Sequence, residues 1–169
     1  KALKEKFDEE RETIKIEKGF YKNYDYLKQE LFENIETIVA RYKTDKLMIT
    51  GHSLGSAAAT LFAYDLYANP SYEIAHFYIF GSPRVGNSEF ADHFNKHVEG
   101  YRVVHNNDIV PCVPPKSFDY AHISLGICYN ENNSEYIVCD QDDKCQIGKC
   151  SVDDHLNYLN VTMGSSGCV

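Results

Sequence analysis

Gly51-His52-Ser53-Leu54-Gly55 has the form G-x-S-x-G, and its neighbours suit that form. An apolar run, Lys46-Leu47-Met48-Ile49-Thr50, precedes it, and an alanine-rich helical run from Ser56 to Ala68 follows it. A strand that turns sharply into a helix holds a serine in a strained backbone conformation with its Oγ clear of the sheet. Ser53 is therefore the candidate nucleophile. Gly51 and Gly55 are expected to leave room for the tight turn and for close approach of helix to strand. The backbone N–H of Leu54 would point at a developing oxyanion. The bland alternative is a glycine-rich turn with an idle serine. The strand before it and the helix after it argue for the nucleophile.

A serine hydroxyl is a poor nucleophile until a base takes its proton, and a third group must orient that base. In folds that carry this elbow, the chain order is serine, then an acid, then histidine. The acid belongs on a loop at the C-terminal end of a strand. Asp108 follows the strand-like Tyr101-Arg102-Val103-Val104-His105 through Asn106-Asn107, two strand–helix units after Ser53. Asp119, in a proline-flanked loop, is the weaker candidate, and a turn-capping role is the alternative for Asp108. Chain order removes His52, His76, His93, His97 and His105. His122, in the apolar stretch Tyr120–Cys128, reads as a structural histidine. His155 opens a short helix after Asp153-Asp154 and is the candidate base; the alternative is a helix-terminal histidine without a catalytic role.

The landmarks extend beyond this trio. Gly51-His52-Ser53-Leu54-Gly55, then Phe80-Gly81-Ser82-Pro83-Arg84-Val85-Gly86-Asn87, then Asn107-Asp108-Ile109-Val110-Pro111 resemble the fungal-type (class 3) lipase family. Lys18-Gly19-Phe20 and Asp154-His155-Leu156-Asn157-Tyr158-Leu159 look like two further landmarks of that family, in the right order. The resemblance runs from about Lys18 to Cys168. It implies an α/β-hydrolase fold, a mostly parallel sheet flanked by helices, and cleavage of acylglycerol esters with no metal or other cofactor. It gives Ser53 the attack, His155 the role of base and then acid, and Asp108 the imidazole tautomer. The family draws a second oxyanion donor and a helical lid from segments upstream of its Lys-Gly-Phe landmark. Only 17 residues precede Lys18, and residues 1–17 are charged. The chain is therefore expected to be a partial domain over residues 1–169 that lacks the first strands, one oxyanion donor and most of the lid. Alone it is expected to show little esterase activity. Two rival readings keep the scaffold: phospholipase A1 or a feruloyl-type esterase, and a catalytically silent binding domain.

Composition excludes other classes. The 169 residues can bury roughly 70% of their unfolded surface, and 43% hydrophobic residues with 13 Tyr and 9 Phe indicate a folded core. A net charge of −8 argues against nucleic acid and against charge-driven docking on anionic lipid. No apolar run reaches the length of a transmembrane helix, and no signal peptide is visible. The partner expected is a lipid or ester substrate.

All six cysteines, at 112, 128, 139, 145, 150 and 168, lie in the C-terminal third, which indicates disulfides in an oxidising compartment. Cys139, Cys145 and Cys150 lack the paired spacing of zinc sites, so no metal is expected. The resemblance favours a local disulfide among these three and sends Cys168 to an N-terminal cysteine that this chain does not contain. Asn132-Asn133-Ser134 and Asn160-Val161-Thr162 are glycosylation sequons and fit secretion.

Apolar spacing at Leu27, Leu31, Ile35, Ile38, Val39 and Tyr42 predicts a helix over 20–43 that covers a sheet. Lys46–Thr50 is expected as a buried strand, Leu54–Ala68 as a helix and Ile74–Phe80 as a strand. Asn87–His97 is expected as a helix and Tyr101–His105 as a strand. Their alternation predicts a parallel sheet. His122–Tyr129 and Glu135–Cys139 are expected to form a hairpin-like extension, and Val152–Leu159 a short closing helix.

Overall fold

Strands and helices alternate through the first part of the chain, an order that lets successive strands lie parallel in one sheet. The computed structural model describes residues 13–140, 145 and 150–164. Its elements are α1 (Lys18–Tyr42), β1 (Lys46–His52), α2 (Leu54–Leu66), β2 (Glu73–Phe80), β3 (Gly86–Asn87), α3 (Ser88–His97) and β4 (Tyr101–His105). After β4 come β5 (Tyr120–Ala121), β6 (Leu125–Tyr129), β7 (Tyr136–Cys139), α4 (Val152–His155), β8 (Asn157–Tyr158) and β9 (Val161–Thr162).

The main sheet runs β1-β2-β4-β6-β7. The first four strands are parallel, and β7 returns antiparallel to β6. The expected hairpin extension is thus the far half of the same sheet: β6 pairs with β4 over its whole length, from Tyr101↔Leu125 to His105↔Tyr129. His122 lies outside it, in the segment between β5 and β6. Strand order advances steadily from β1 to β6, and crossovers of one hand then place the connecting helices on one face. On that face Tyr64 of α2 contacts Phe90 and Phe94 of α3, and Phe94 contacts Phe77 of β2. Ala57, Leu61, Phe77, Ile79, Phe90 and Phe94 are the centre of this core.

The first helix departs from expectation. α1 packs chiefly on α2 rather than on the sheet, through the Phe32–Phe62 edge-to-face pair and Tyr24, which donates to Asp65 at 2.6 Å. Only Tyr24 and Ile35 of α1 are buried. β1 departs too. Of its side chains only Ile49 is buried, while Met48 is 69% exposed. β1 is an edge strand, and among the described residues little covers its Met48 face, so alternate side chains, which point to opposite faces, differ in burial.

Helix starts follow capping chemistry. Glu17 accepts the Phe20 N–H, Asn87 accepts the Phe90 N–H, and Ser151 accepts the Asp154 N–H, each satisfying an N–H that has no partner within its helix. The last helix is only one turn long. Its C-cap is Leu156, and Asn157-Tyr158 leave it as a strand paired to Val161-Thr162.

The cysteines also depart from expectation. Cys145 is bonded to Cys128, 17 residues away, and not to Cys139 or Cys150. The register explains why. Cys139 faces Gly126 across the β6–β7 pair, two residues from Cys128, and Cys145 folds over Gly126, so the three sulfurs lie within 4.8 Å of one another. Strand pairing, which linear spacing does not reveal, brings Cys128 within reach. Cys139 stays a buried thiol, and Cys150 lies beside Cys112. Cys168 lies outside the described residues.

His122 is buried, and its Nε2–H donates to the Pro111 carbonyl at 2.9 Å. Burial first, then the nearby Arg102 and Arg84, holds its pKa well below the ordinary imidazole value. The folded state keeps it neutral, while the unfolded chain titrates it near the usual value of about 6.5. Below that pH the unfolded state binds a proton that the folded state does not, so stability falls as pH falls toward the folded pKa. The melting temperature of the wild type is expected to drop more between pH 7 and pH 5 than that of His122→Gln. Equal drops would remove His122 from the acid dependence.

Candidate active site

The elbow is built at the junction of β1 and α2. Ser53 has φ 56° and ψ −127°, a region that non-glycine residues rarely occupy. Its N–H donates to the Phe80 carbonyl at 3.0 Å, which ties the turn to the end of β2. A Cβ on Gly51 would stand 2.4 Å from the Gly55 carbonyl oxygen, so the turn admits no side chain there. Gly55 differs from expectation: a Cβ on it would meet nothing within 4 Å. Its backbone, not its side-chain position, is what approaches Gly51. Leu54 opens α2, where first-turn N–H groups have no acceptor within the helix and the helix dipole favours negative charge.

Three predicted residues come together. The Nε2 of His155 lies 2.8 Å from Ser53 Oγ, and its Nδ1 lies 2.9 Å from Asp108 Oδ2. With neutral imidazole, Nδ1–H donates to the carboxylate, which leaves Nε2 to accept the Ser53 hydroxyl proton. Asp108 is fully buried and His155 is 9% exposed. A buried carboxylate is tolerated only when hydrogen-bonded. Asp108 Oδ1 accepts the Val110 N–H at 2.8 Å, and Oδ2 accepts both His155 and the Tyr158 hydroxyl. Burial and the Asp108 charge raise the pKa of Tyr158, which keeps it a neutral donor.

The acid and base loops are laced together. Ser151 N–H donates to the Asn107 carbonyl at 2.6 Å, and Ile109 N–H donates to the Ser151 carbonyl at 3.0 Å. The Asp154 carboxylate accepts the Asn106 side-chain amide and the Asn107 N–H. His105 adds a hydrogen bond from Nδ1 to the Asp154 carbonyl at 3.0 Å. His52 stacks on His155 with ring centroids 4.5 Å apart, and its Nε2–H donates to the His155 carbonyl at 2.9 Å. Burial, then the adjacent His155, lowers the pKa of His52, which favours its neutral form. Asp119 is engaged elsewhere, accepting the exposed Ser88 hydroxyl.

Sequence reasoning gave no role to Gly81, Tyr158, His105 or Asp154. Gly81 has φ +52°, and a Cβ there would stand 2.8 Å from Asp108 Oδ2 and 3.0 Å from both His155 Nδ1 and the Tyr158 hydroxyl. Gly81, Asp154 and Tyr158 stand inside the motifs quoted above, which was the available signal. Their part in the site depends on contacts across 47 residues or more of chain or on backbone geometry, which a motif does not display. The sequon residues Asn132 and Asn160 are both exposed.

The chain is similar to known proteins. The family Lipase (class 3) matches residues 1–118. A lipase from Rhizopus niveus is 32% identical over 161 residues, covering 89% of this chain and 41% of its own length. The secreted mono- and diacylglycerol lipase A of Penicillium cyclopium is 36% identical over 108 residues, covering 64% of this chain and 35% of its own length. A solved triacylglycerol lipase, described as having a serine protease triad as its catalytic centre, superposes with a TM-score of 0.80 at 32% identity. That match covers 89% of this chain and 61% of the other. The chain thus spans about two-fifths of the length of the Rhizopus relative.

The closeness of Gly81 to three polar atoms makes it a direct probe of this geometry. Gly81→Ala is expected to push His155 away from Asp108, abolishing or shifting upfield the strongly deshielded proton that NMR would record for an imidazole N–H held by a buried carboxylate. An unchanged resonance would show that the site absorbs the methyl group.

Proposed function

From the premise that the chain belongs to the class 3 lipase family, we propose that it carries the catalytic centre of a secreted lipase that hydrolyses acylglycerol esters. The observation that carries this reading is the continuous hydrogen-bonded path from Ser53 Oγ through both nitrogens of His155 to buried Asp108. Ser53 attacks the ester carbonyl as His155 Nε2 takes its proton. Asp108 holds Nδ1–H and stabilises the imidazolium that forms. His155 then returns the proton to the departing alcohol, and a water activated by the same nitrogen releases the acyl group. The Leu54 N–H donates to the oxyanion, a contact worth about 10²–10³ in turnover when one such donor is lost.

Lipid as the substrate is supported by the surroundings. Each proposed catalytic residue is followed by an exposed aliphatic side chain: Leu54 at 47%, Ile109 at 36% and Leu156 at 42%. Exposed apolar groups around a polar centre suit an acyl chain at a lipid–water interface. Secretion is supported by the Cys128–Cys145 disulfide and the exposed sequons. Among the described residues no helix is long and apolar enough to cross a membrane.

The test uses the protein expressed from its complete coding sequence, assayed on an acylglycerol emulsion and on a short p-nitrophenyl ester. Ser53→Ala is expected to lower kcat by about 10⁴–10⁶ and Asp108→Asn by about 10⁴, since asparagine would hold the wrong imidazole tautomer. A Ser53→Ala protein that keeps a substantial share of wild-type turnover would move the nucleophile elsewhere. Wild-type turnover of the soluble ester without turnover of the emulsion would move the substrate.

A further inference from the structure

Cys112 ends the short turn Val110–Cys112 that follows Asp108, and Cys150 precedes Ser151, the N-cap of the helix that carries His155. The two cysteines are 38 residues apart, yet their sulfurs are separated by 2.7 Å. That is well inside the contact distance of two unbonded sulfur atoms and approaches the roughly 2.05 Å of a disulfide bond. The backbones beside them are already joined. Asp108 and Ser151 form a parallel bridge, Ser151 N–H reaches the Asn107 carbonyl, and Ile109 N–H reaches the Ser151 carbonyl. Cys150 is exposed and Cys112 is half-buried, so an oxidant can reach the pair.

We propose that Cys112 and Cys150 form a second disulfide, which clamps the acid loop to the base loop beside the proposed catalytic centre. The exposed Cys150 thiolate attacks one sulfur of a small-molecule disulfide, releasing one thiolate and leaving a mixed disulfide. Cys112, as thiolate, then displaces the second small-molecule thiolate. Two protein thiols are oxidised, one small disulfide is reduced to two thiols, and the two protons lost by the cysteines end on those thiols. The bond joins segments that the Cys128–Cys145 disulfide does not tie, since that bond fastens residue 145 to β6. Cys139 keeps its thiol beside that bond. The sulfur positions and the backbone bridge are independent of whatever substrate Ser53 acts on.

The test begins with the complete protein folded in a glutathione redox buffer, alkylated, and digested without reduction. Trypsin cuts after Arg102, Lys116 and Lys149, and a protease cutting before Asp153 separates Cys150 from Cys168. The expected product links the peptide bearing Cys112 to the one bearing Cys150. Recovery of both as alkylated cysteines, or of Cys112 linked to Cys139 or Cys168, would overturn the pairing. A second measurement asks whether the bond clamps. In oxidising buffer a Cys112→Ser, Cys150→Ser double variant is expected to melt about 5–10 °C below wild type. In reducing buffer the two are expected to converge, because wild type then loses the same bond. No gap in oxidising buffer, or a gap that persists under reduction, would show that no bond clamps the loops.

Discussion

The Asp108 carboxylate is fully buried, and its negative charge is stabilised by three donors drawn from three parts of the chain. Val110 N–H comes from the turn that follows it, the His155 ring from α4, and the Tyr158 hydroxyl from β8. A buried charge with one partner removed costs several kcal/mol, on the order of 3–5. The segments that supply these donors therefore cannot move apart without taking a donor from the buried carboxylate. The lacing between residues 106–109 and 151–154 follows from the same constraint, since it fixes the distance over which His155 must reach. Gly81 follows as well: the donors converge so closely that no side chain fits at that point of the chain.

On the other side of His155 the constraint is backbone strain. Ser53 stays at a positive φ because β1 ends just before it, α2 starts just after it, and its N–H is held by the Phe80 carbonyl. Strain of this kind costs on the order of 1–3 kcal/mol and persists only where the surroundings over-determine it. The core around α2 supplies that over-determination, with Ala57, Leu61 and Ala63 buried in one cluster with Phe77 and Ile79 of the sheet and Phe90 and Phe94 of α3. A rigid elbow and a rigid acid loop leave the imidazole between them with one orientation. His52, stacked on that imidazole and bonded to its carbonyl, holds the same orientation from the elbow side.

Much of this was legible in the sequence, and the reason differs by residue. Ser53 was legible because strand, glycine turn and helix are local features written in consecutive residues. Asp108 and His155 were legible because chain order and motif context narrow the choice to few candidates. The parallel sheet followed from alternation, but the place of β6 and β7 did not, because a short apolar run reads the same in a hairpin as in a central strand. Burial of β1 was misread for a related reason: sequence reports which residues are apolar, not whether a second layer covers them. The cysteine pairing failed because Cys128 reaches Cys145 through strand register, a relation between distant residues. Tyr158 and Gly81 lay inside recognised motifs, yet their contacts with Asp108 exist only once residues 81, 108, 155 and 158 are folded together.

The most direct measurement is a crystal structure of the protein inactivated by a p-nitrophenyl alkylphosphonate, whose tetrahedral phosphorus stands in for the acyl-transfer transition state. Phosphorus is expected on Ser53 Oγ, with a phosphoryl oxygen within hydrogen-bond distance of the Leu54 N–H and His155 still held by Asp108. Phosphorus on another residue, or on Ser53 with its oxygen turned away from Leu54 and His155 detached from Asp108, would contradict this expectation.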